Sequence, residues 1–261
     1  MPDDQVSQSK SVVPSERDVD VQVRPFIHVG PNSRSLHFSE KEIQSRMSTL
    51  NPDALDLEYT RMMMGFLLFN AYPQHIGMVG LGGGSLAKFC FRYLPASKID
   101  VVEIDERVIS MRDQFMVPHN DARFEVIKAD GAHYIAAHPE TFDVWLIDGY
   151  DRDGIPDQLC SDAFYRRCFD GLKDNGLLVA NFHVNHPNYH DYLDRVRDVF
   201  GAAVMEVVDD DMTNSVVFAC KGDLLDRADA FSLKRPDSVA KDAWRQLMPT
   251  FKVIAATHTL R

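Results

Sequence analysis

Residues 76–85 read Ile-Gly-Met-Val-Gly-Leu-Gly-Gly-Gly-Ser, an apolar run that ends in a glycine cluster. Gly80, Gly82, Gly83 and Gly84 let the backbone turn sharply, take positive φ and come close to a ligand. An apolar-periodic stretch follows at once (Leu86, Phe89, Cys90, Tyr93, Leu94), so Ser85 stands where a helix begins. Free N–H groups and the dipole at a helix start favour electron-rich groups. About 19 residues beyond Gly84, a second apolar run ends in Val101-Val102-Glu103-Ile104-Asp105. That places a carboxylate beside the loop, where a ribose diol can donate to it. Glu103 is assigned to the ribose, because Asp105 is better suited to stabilising the dipole of the next helix. The pattern implies a nucleoside-bearing small molecule. It also fits a NAD-type register, Gly82-x-Gly84-x-x-Ala87 with Glu103 sixteen residues on, so the loop alone leaves NAD and a sulfonium nucleoside open.

Two further strand ends carry acids. Ala129-Asp130-Gly131-Ala132 closes one of them. Asp130 there can accept from an adenine exocyclic amine, or cap the helix that follows. Gly131 would let the base lie close to the backbone. Phe142-Asp143-Val144-Trp145-Leu146-Ile147 runs into Asp148-Gly149-Tyr150-Asp151. In open parallel sheets the carboxyl ends of the strands face the ligand crevice, which sets Asp148 over the reacting part of the ligand. Asp151, Asp153 and Asp157 continue an acidic loop opposed by Arg152.

The elements that must position these residues alternate. Strands are expected at Ile76–Gly80, Ile99–Ile104, Phe124–Lys128, Phe142–Ile147 and Gly176–Phe182, with helices at Leu86–Leu94, Glu106–Phe115, Gly131–His138 and Ser161–Lys173 between them. A helix at Asn188–Phe200 follows. Val204–Val208 and Ser215–Cys220 then leave no room for a helix between them and must form an antiparallel hairpin. The fold class is α/β: a doubly wound, seven-stranded, Rossmann-like sheet of the type found in S-adenosylmethionine-dependent methyltransferases. Plain dinucleotide-binding domains lack the terminal hairpin. Four segments are expected. Residues 1–22 form a disordered tail, and 23–72 a short appendage with a hairpin over 25–38 and a helix from about Leu57 to Phe69. Residues 73–222 form the nucleoside-binding domain, and 223–261 a helical extension anchored by Trp244 and Leu247.

Bulk properties narrow the partners. The chain has 261 residues and a net charge of −11, with no Lys/Arg cluster of the kind that tracks phosphates, so nucleic acid is a poor partner. No run of about 18 apolar residues marks a membrane span. The first 20 residues lack the apolar core of a signal peptide, and a cytoplasmic location is expected. Cys90, Cys160, Cys168 and Cys220 form no CxxC pair, so they read as reduced and structural and no metal is expected.

Residues 76–182 resemble the catalytic domain of the spermidine synthase (polyamine aminopropyltransferase) family. The resemblance rests on Gly82-Gly83-Gly84, Val102-Glu103-Ile104-Asp105, Asp121-Ala122-Arg123-Phe124, Asp130-Gly131, Phe142-Asp143-Val144 through Asp148-x-x-Asp151, Phe164-Tyr165 and Leu172-Lys173-x-x-Gly176, in the family's order and spacing. It implies decarboxylated S-adenosylmethionine or S-adenosylmethionine as co-substrate, and a cationic amine as the small-molecule partner. The nucleoside would be bound by Gln44, Gly80, Gly82, Gly83, Gly84, Ser85, Glu103, Ile104, Asp130, Gly131 and Asp148. Asp148 and Asp151 would be catalytic, with Asp148 assisting loss of the amine proton and held below the usual carboxylate range by the sulfonium. Tyr59, Tyr150 and Asp151 would bind the amine, and a homodimer is expected.

The chain departs from the family in places. Ser85 stands where the family's Gly-Gly-Gly-Asp has its aspartate, and Gly149-Tyr150-Asp151-Arg152 replaces Ser-x-Asp-Pro after Asp148. Asp209-Asp210-Asp211-Met212-Thr213-Asn214 replaces a Pro-x-Tyr-Pro-x-Gly loop, and the N-terminal β-domain is shortened. Methyl transfer and nucleoside binding without turnover therefore stand beside aminopropyl transfer as readings.

Overall fold

The computed structural model describes residues 24–39, 43–151, 154–227 and 230–259. The proposed tail over 1–22 lies outside them, as do Arg152 and Asp153. Ten strands and seven α-helices are described. A small antiparallel sheet has the order β1 (Phe26–Val29), β2 (Ser33–His37), β3 (Ile43–Ser48). A seven-stranded sheet holds β4 (His75–Val79), β5 (Lys98–Glu103), β6 (Phe124–Lys128), β7 (Phe142–Ile147), β8 (Leu172–His183), β9 (Val204–Val208) and β10 (Asn214–Cys220). Its order is β6-β5-β4-β7-β8-β10-β9. β4 to β8 run parallel, and β10 is antiparallel to both its neighbours. The strand order reverses between β4 and β7, which opens a crevice at their carboxyl ends.

Both faces of the large sheet are buried, because successive side chains on each inner strand point to opposite sides and both are apolar. Val144 and Leu146 pack with Leu177, Val179, Val216 and Phe218 on one face, under α1 (Glu58–Met63), α2 (Ser85–Tyr93), α3 (Glu106–Ser110) and α7 (Lys241–Thr259). Trp145, Ile147, Leu178, Ala180, Val217 and Ala219 pack on the other, under α4 (Gly131–Ala136), α5 (Asp162–Gly171) and α6 (Tyr189–Phe200). Met62, Met63 and Met64 are core residues, and Trp244 and Leu247 anchor α7.

Differences from the expected elements have local causes. The helix expected over Leu57–Phe69 is α-helical to Met63 and tightens into a 3₁₀ turn over Met64–Leu68. Gly65 is pressed so close to the core there that a Cβ would meet Ile254 Cδ1 at 2.6 Å. The helix expected over Glu106–Phe115 likewise ends at Ser110 and continues as a 3₁₀ turn over Arg112–Phe115. α5 ends at Gly171 rather than Lys173, and β8 starts at Leu172. Its pairing with β7 slips there, with Asn175 at φ 62° (left-handed) next to Gly176. The appendage gains β3, a polar strand that alternation of apolar residues did not mark.

Candidate active site

A cavity of about 720 Å³ lies over the crevice, within the usual range for small-molecule sites. The glycine loop forms one wall. Gly80, Gly82 and Gly84 have φ of 96°, 51° and 67°, the left-handed region that favours glycine. At Gly80 the approach is also closest: a Cβ would sit 2.3 Å from the Asp148 carbonyl oxygen, so loop and β7 end touch through backbone. Gly84 is the residue before α2, and no side chain caps that helix start. Ser85, the first residue of α2, is buried and lines the cavity. β3 crosses the loop, with Ser45 against Gly83 and Gln44 in the cavity wall.

Glu103 ends β5 and is fixed by backbone. Leu81 N–H donates to its Oε2 at 2.9 Å and Asp105 N–H to its Oε1 at 2.8 Å. Burial raises its pKa, with those N–H groups acting in the opposite direction. Asp105 caps α3 through the Arg107 N–H and forks onto the Arg107 guanidinium, the capping role expected of it from the sequence. Ile104 is 60% exposed beside the cavity. Asp130 caps α4 by accepting from His133 N–H at 2.8 Å while also lining the cavity, so its two sequence readings are compatible. Gly131 has a packing reason to lack a side chain: a Cβ would meet Val79 Cγ1 at 2.6 Å.

Next to this wall, at the end of β7, stands Asp148. Asn181 Nδ2 donates to its Oδ1 at 3.1 Å, and the Tyr59 hydroxyl, which donates to the Gln44 carbonyl at 3.4 Å, lies beside its carboxylate. Burial pushes Asp148 up to about 6, with Asn181 and Tyr59 opposing the shift. The Tyr59 hydroxyl is shifted well up by burial and by the Asp148 charge. The Tyr150 hydroxyl donates to the Asn181 carbonyl at 2.9 Å, and its ring stacks on His183 at 4.3 Å. Asp151 lines the rim and pairs by backbone with Gly154. Asp157 faces solvent on a short 3₁₀ turn outside the cavity wall.

Several wall residues were not singled out from sequence. Asn181 sits inside the apolar run of β8, and a lone amide in such a run is the signal that marks it. Glu58 opens α1 and has its pKa raised by burial, then by Asp210, Asp209 and Asp211 across the mouth. The turn between β9 and β10 therefore joins the site. Asp209 is its anchor, accepting from the backbone N–H and side chain of both Thr213 and Asn214. Burial raises the Asp209 pKa, but these donors outweigh it and hold the carboxyl below its ordinary value. Every charged side chain among the described residues of the wall is a carboxylate.

A model of the spermine/spermidine synthase domain matches residues 56–213. The chain belongs to the spermine/spermidine synthase family. It is 40% identical over 190 residues to a polyamine aminopropyltransferase of Neisseria meningitidis serogroup A, covering 72% of each chain. It is therefore a transferase. A spermidine synthase solved with the transition-state analogue AdoDATO superposes with a TM-score of 0.62 at 18% identity, covering 91% of this chain and 89% of that one. Human methyltransferase-like protein 13 in complex with SAH superposes with a TM-score of 0.57 at 23% identity, covering 78% and 93%. These likenesses support the expected fold, a seven-stranded Rossmann-like sheet with a short N-terminal appendage. Among the described residues no group of acids, histidines and cysteines could hold a metal ion, and no helix is long and apolar enough to cross a membrane. The four cysteines are buried free thiols.

Proposed function

We propose that this family member moves the aminopropyl group of decarboxylated S-adenosylmethionine to a primary amine of a polyamine such as putrescine, releasing methylthioadenosine. The observation that carries the reading is that carboxylates supply the charge of the cavity wall among the described residues, with Asp148 at the end of β7 next to the glycine loop. Both ligands are cations, and such a wall concentrates them. The residues fit the nucleoside. Each Glu103 oxygen keeps a lone pair for the ribose diol, and Asp130 keeps one for the adenine amine beside Ile104. Gln44 and Ser85 flank the sulfonium arm.

An alkylammonium with a pKa near ~10.4 must shed a proton before it attacks. Asp148 receives that proton, with Asn181 fixing its carboxylate and Tyr59, Tyr150 and Asp151 shaping the amine approach. The amine nitrogen then bonds to the methylene beside sulfur. The carbon–sulfur bond breaks with its electron pair going to sulfur, and the positive charge passes to the new secondary ammonium. In-line positioning of nitrogen and carbon supplies much of the rate.

Ser85 favours a second reading. A neutral side chain at that position removes a carboxylate contact to the co-substrate's terminal ammonium, which admits S-adenosylmethionine and methyl transfer. Each sulfonium is incubated with putrescine and the products read by mass spectrometry. Methylthioadenosine from the decarboxylated substrate supports aminopropyl transfer. Its absence across several diamines sinks that reading, and S-adenosylhomocysteine from the other sulfonium supports methyl transfer.

A further inference from the structure

The start of α2 gathers donors that have nothing to donate to. Gly84, left-handed at φ 67°, precedes this nine-residue helix, and no side chain caps it. The N–H groups of Ser85, Leu86 and Ala87 have no partner among the described residues, and all three residues line the cavity. Two hydroxyls stand beside them. Ser85 is 8% and Ser45 6% exposed, and both line the cavity. Neither hydroxyl has a hydrogen-bond partner among the described residues, and neither oxygen is closed to solvent. Ser45 Oγ lies over the loop, 2.6 Å from where a Cβ on Gly83 would sit. The buried Lys88 donates to the Phe115 carbonyl, and the Phe115 ring packs against Gly83, so a cation is buried close to the same loop.

Backbone N–H groups can only donate, and a helix start carries partial positive charge, so this corner disfavours an ammonium and suits a carboxylate. Carboxylates line the wall elsewhere, but Ser45, Ser85, Leu86 and Ala87 bring none here. A sulfonium nucleoside with a carboxylate on its arm is S-adenosylmethionine. We propose that the start of α2 holds the carboxylate of S-adenosylmethionine, and that from this co-substrate the chain transfers a 3-amino-3-carboxypropyl group to the acceptor amine. The inference rests on the nucleoside wall and the attacked methylene of the reading above, and extends its co-substrate. The amine nitrogen, having lost a proton to Asp148, bonds to the methylene beside sulfur. The carbon–sulfur bond breaks with its electron pair going to sulfur, and methylthioadenosine leaves.

Two ligands that differ only in the carboxylate test the site: S-adenosylhomocysteine and its decarboxylated counterpart, S-adenosyl-3-thiopropylamine. By calorimetry the wild-type protein is expected to bind S-adenosylhomocysteine about tenfold to a hundredfold tighter. Ser85→Asp sets a carboxylate among the same donors, and the order should invert, with methylthioadenosine affinity kept within about threefold as the folding control. If Ser85→Asp fails that control, Ser45→Ala is read instead. It should weaken S-adenosylhomocysteine about two- to tenfold and leave the decarboxylated ligand unchanged. A wild-type protein that binds the decarboxylated ligand equally or more tightly overturns the carboxylate site. The transfer is read by mass spectrometry with S-adenosylmethionine and putrescine, and the expected products are methylthioadenosine and an amine carrying the aminocarboxypropyl group. S-adenosylhomocysteine as the nucleoside product overturns the transfer. Methylthioadenosine from the decarboxylated sulfonium with none from S-adenosylmethionine sinks this inference and leaves the parent reading standing, whereas none from either sinks both.

Discussion

Around the glycine loop, each acid of the cavity is engaged by backbone of its own crossover or of the loop it faces: Glu103 by Leu81 and Asp105, Asp130 by His133. Around Asp148 the surroundings are side chains drawn from across the chain, Asn181 of β8 as donor and Tyr59 of α1 beside it, with the β9–β10 turn and Glu58 at the mouth. One half of the site is cut into the main chain and the other is assembled from side chains. A backbone-built half tolerates substitution around it and keeps one ligand class. A side-chain-built half can be retuned residue by residue; of the departures read from the sequence, Tyr150 and 209–214 fall there, and Ser85 falls in the glycine-loop half.

Asp148→Asn tests the division with the largest effect. General-base assistance contributes typically 10²–10⁴-fold, so kcat should fall by about that factor while methylthioadenosine affinity changes by less than about threefold. A parallel loss of nucleoside affinity would place Asp148 in the nucleoside half and break the comparison. The pH dependence sharpens it. With a pKa raised to about 6, the folded protein favours the protonated acid. Ionising Asp148 between the ordinary carboxylate range and pH 6 therefore costs stability, and a bound cation offsets that cost. Affinity for the sulfonium should then weaken as pH falls through about 6, while affinity for neutral methylthioadenosine stays flat. In Asp148→Asn both should be flat, as read by calorimetry. The depressed carboxylate expected from sequence is corrected, since Asp148 is raised to about 6. Burial alone drives the shift upward.

Glu103→Ala comes next. It removes an acceptor shared by two backbone N–H groups and by the proposed ribose diol. Hydrogen bonds to a charged group contribute about 1.5–3 kcal/mol, so methylthioadenosine affinity should fall about tenfold to a hundredfold. At saturating nucleoside, kcat should be nearly kept. A large fall in kcat with unchanged affinity would show that the two halves are not separable.

The same contrast explains what could be read without coordinates. The parallel strands and the glycine loop announce themselves because a buried β-strand, a glycine turn and a helix start follow one another within 76–94, and the nucleoside acids stand at strand ends in chain order. β3 escaped because Gln44, Ser45, Arg46 and Ser48 give it no apolar alternation; its burial comes from lying across the loop. Asn181 escaped although it is an amide inside the apolar run of β8, because its contact with Asp148 comes only from the pairing of β8 with β7. Glu58 and Asp211 come together only through the sheet order that sets β10 beside β8.

The smallest effect belongs to the mouth. Asp209 and Asp211 are two residues apart and differ in kind. Asp209 is buried and ties the turn with four hydrogen bonds, so its removal would disorder the turn and report on folding. Asp211 is exposed at the cavity rim and can act only by its charge. Exposed pairs contribute about 0–1 kcal/mol and are screened by salt. Asp211→Asn should therefore raise KM for putrescine about two- to fivefold at low ionic strength, with kcat unchanged and the effect gone at about 0.5 M salt. A monoamine of equal length, which lacks the distal ammonium, should show no change. If the monoamine suffers equally, Asp211 steers any cation into the cavity instead of holding the far end of a diamine, and the acceptor half would end at Asp148, Asn181 and Tyr59.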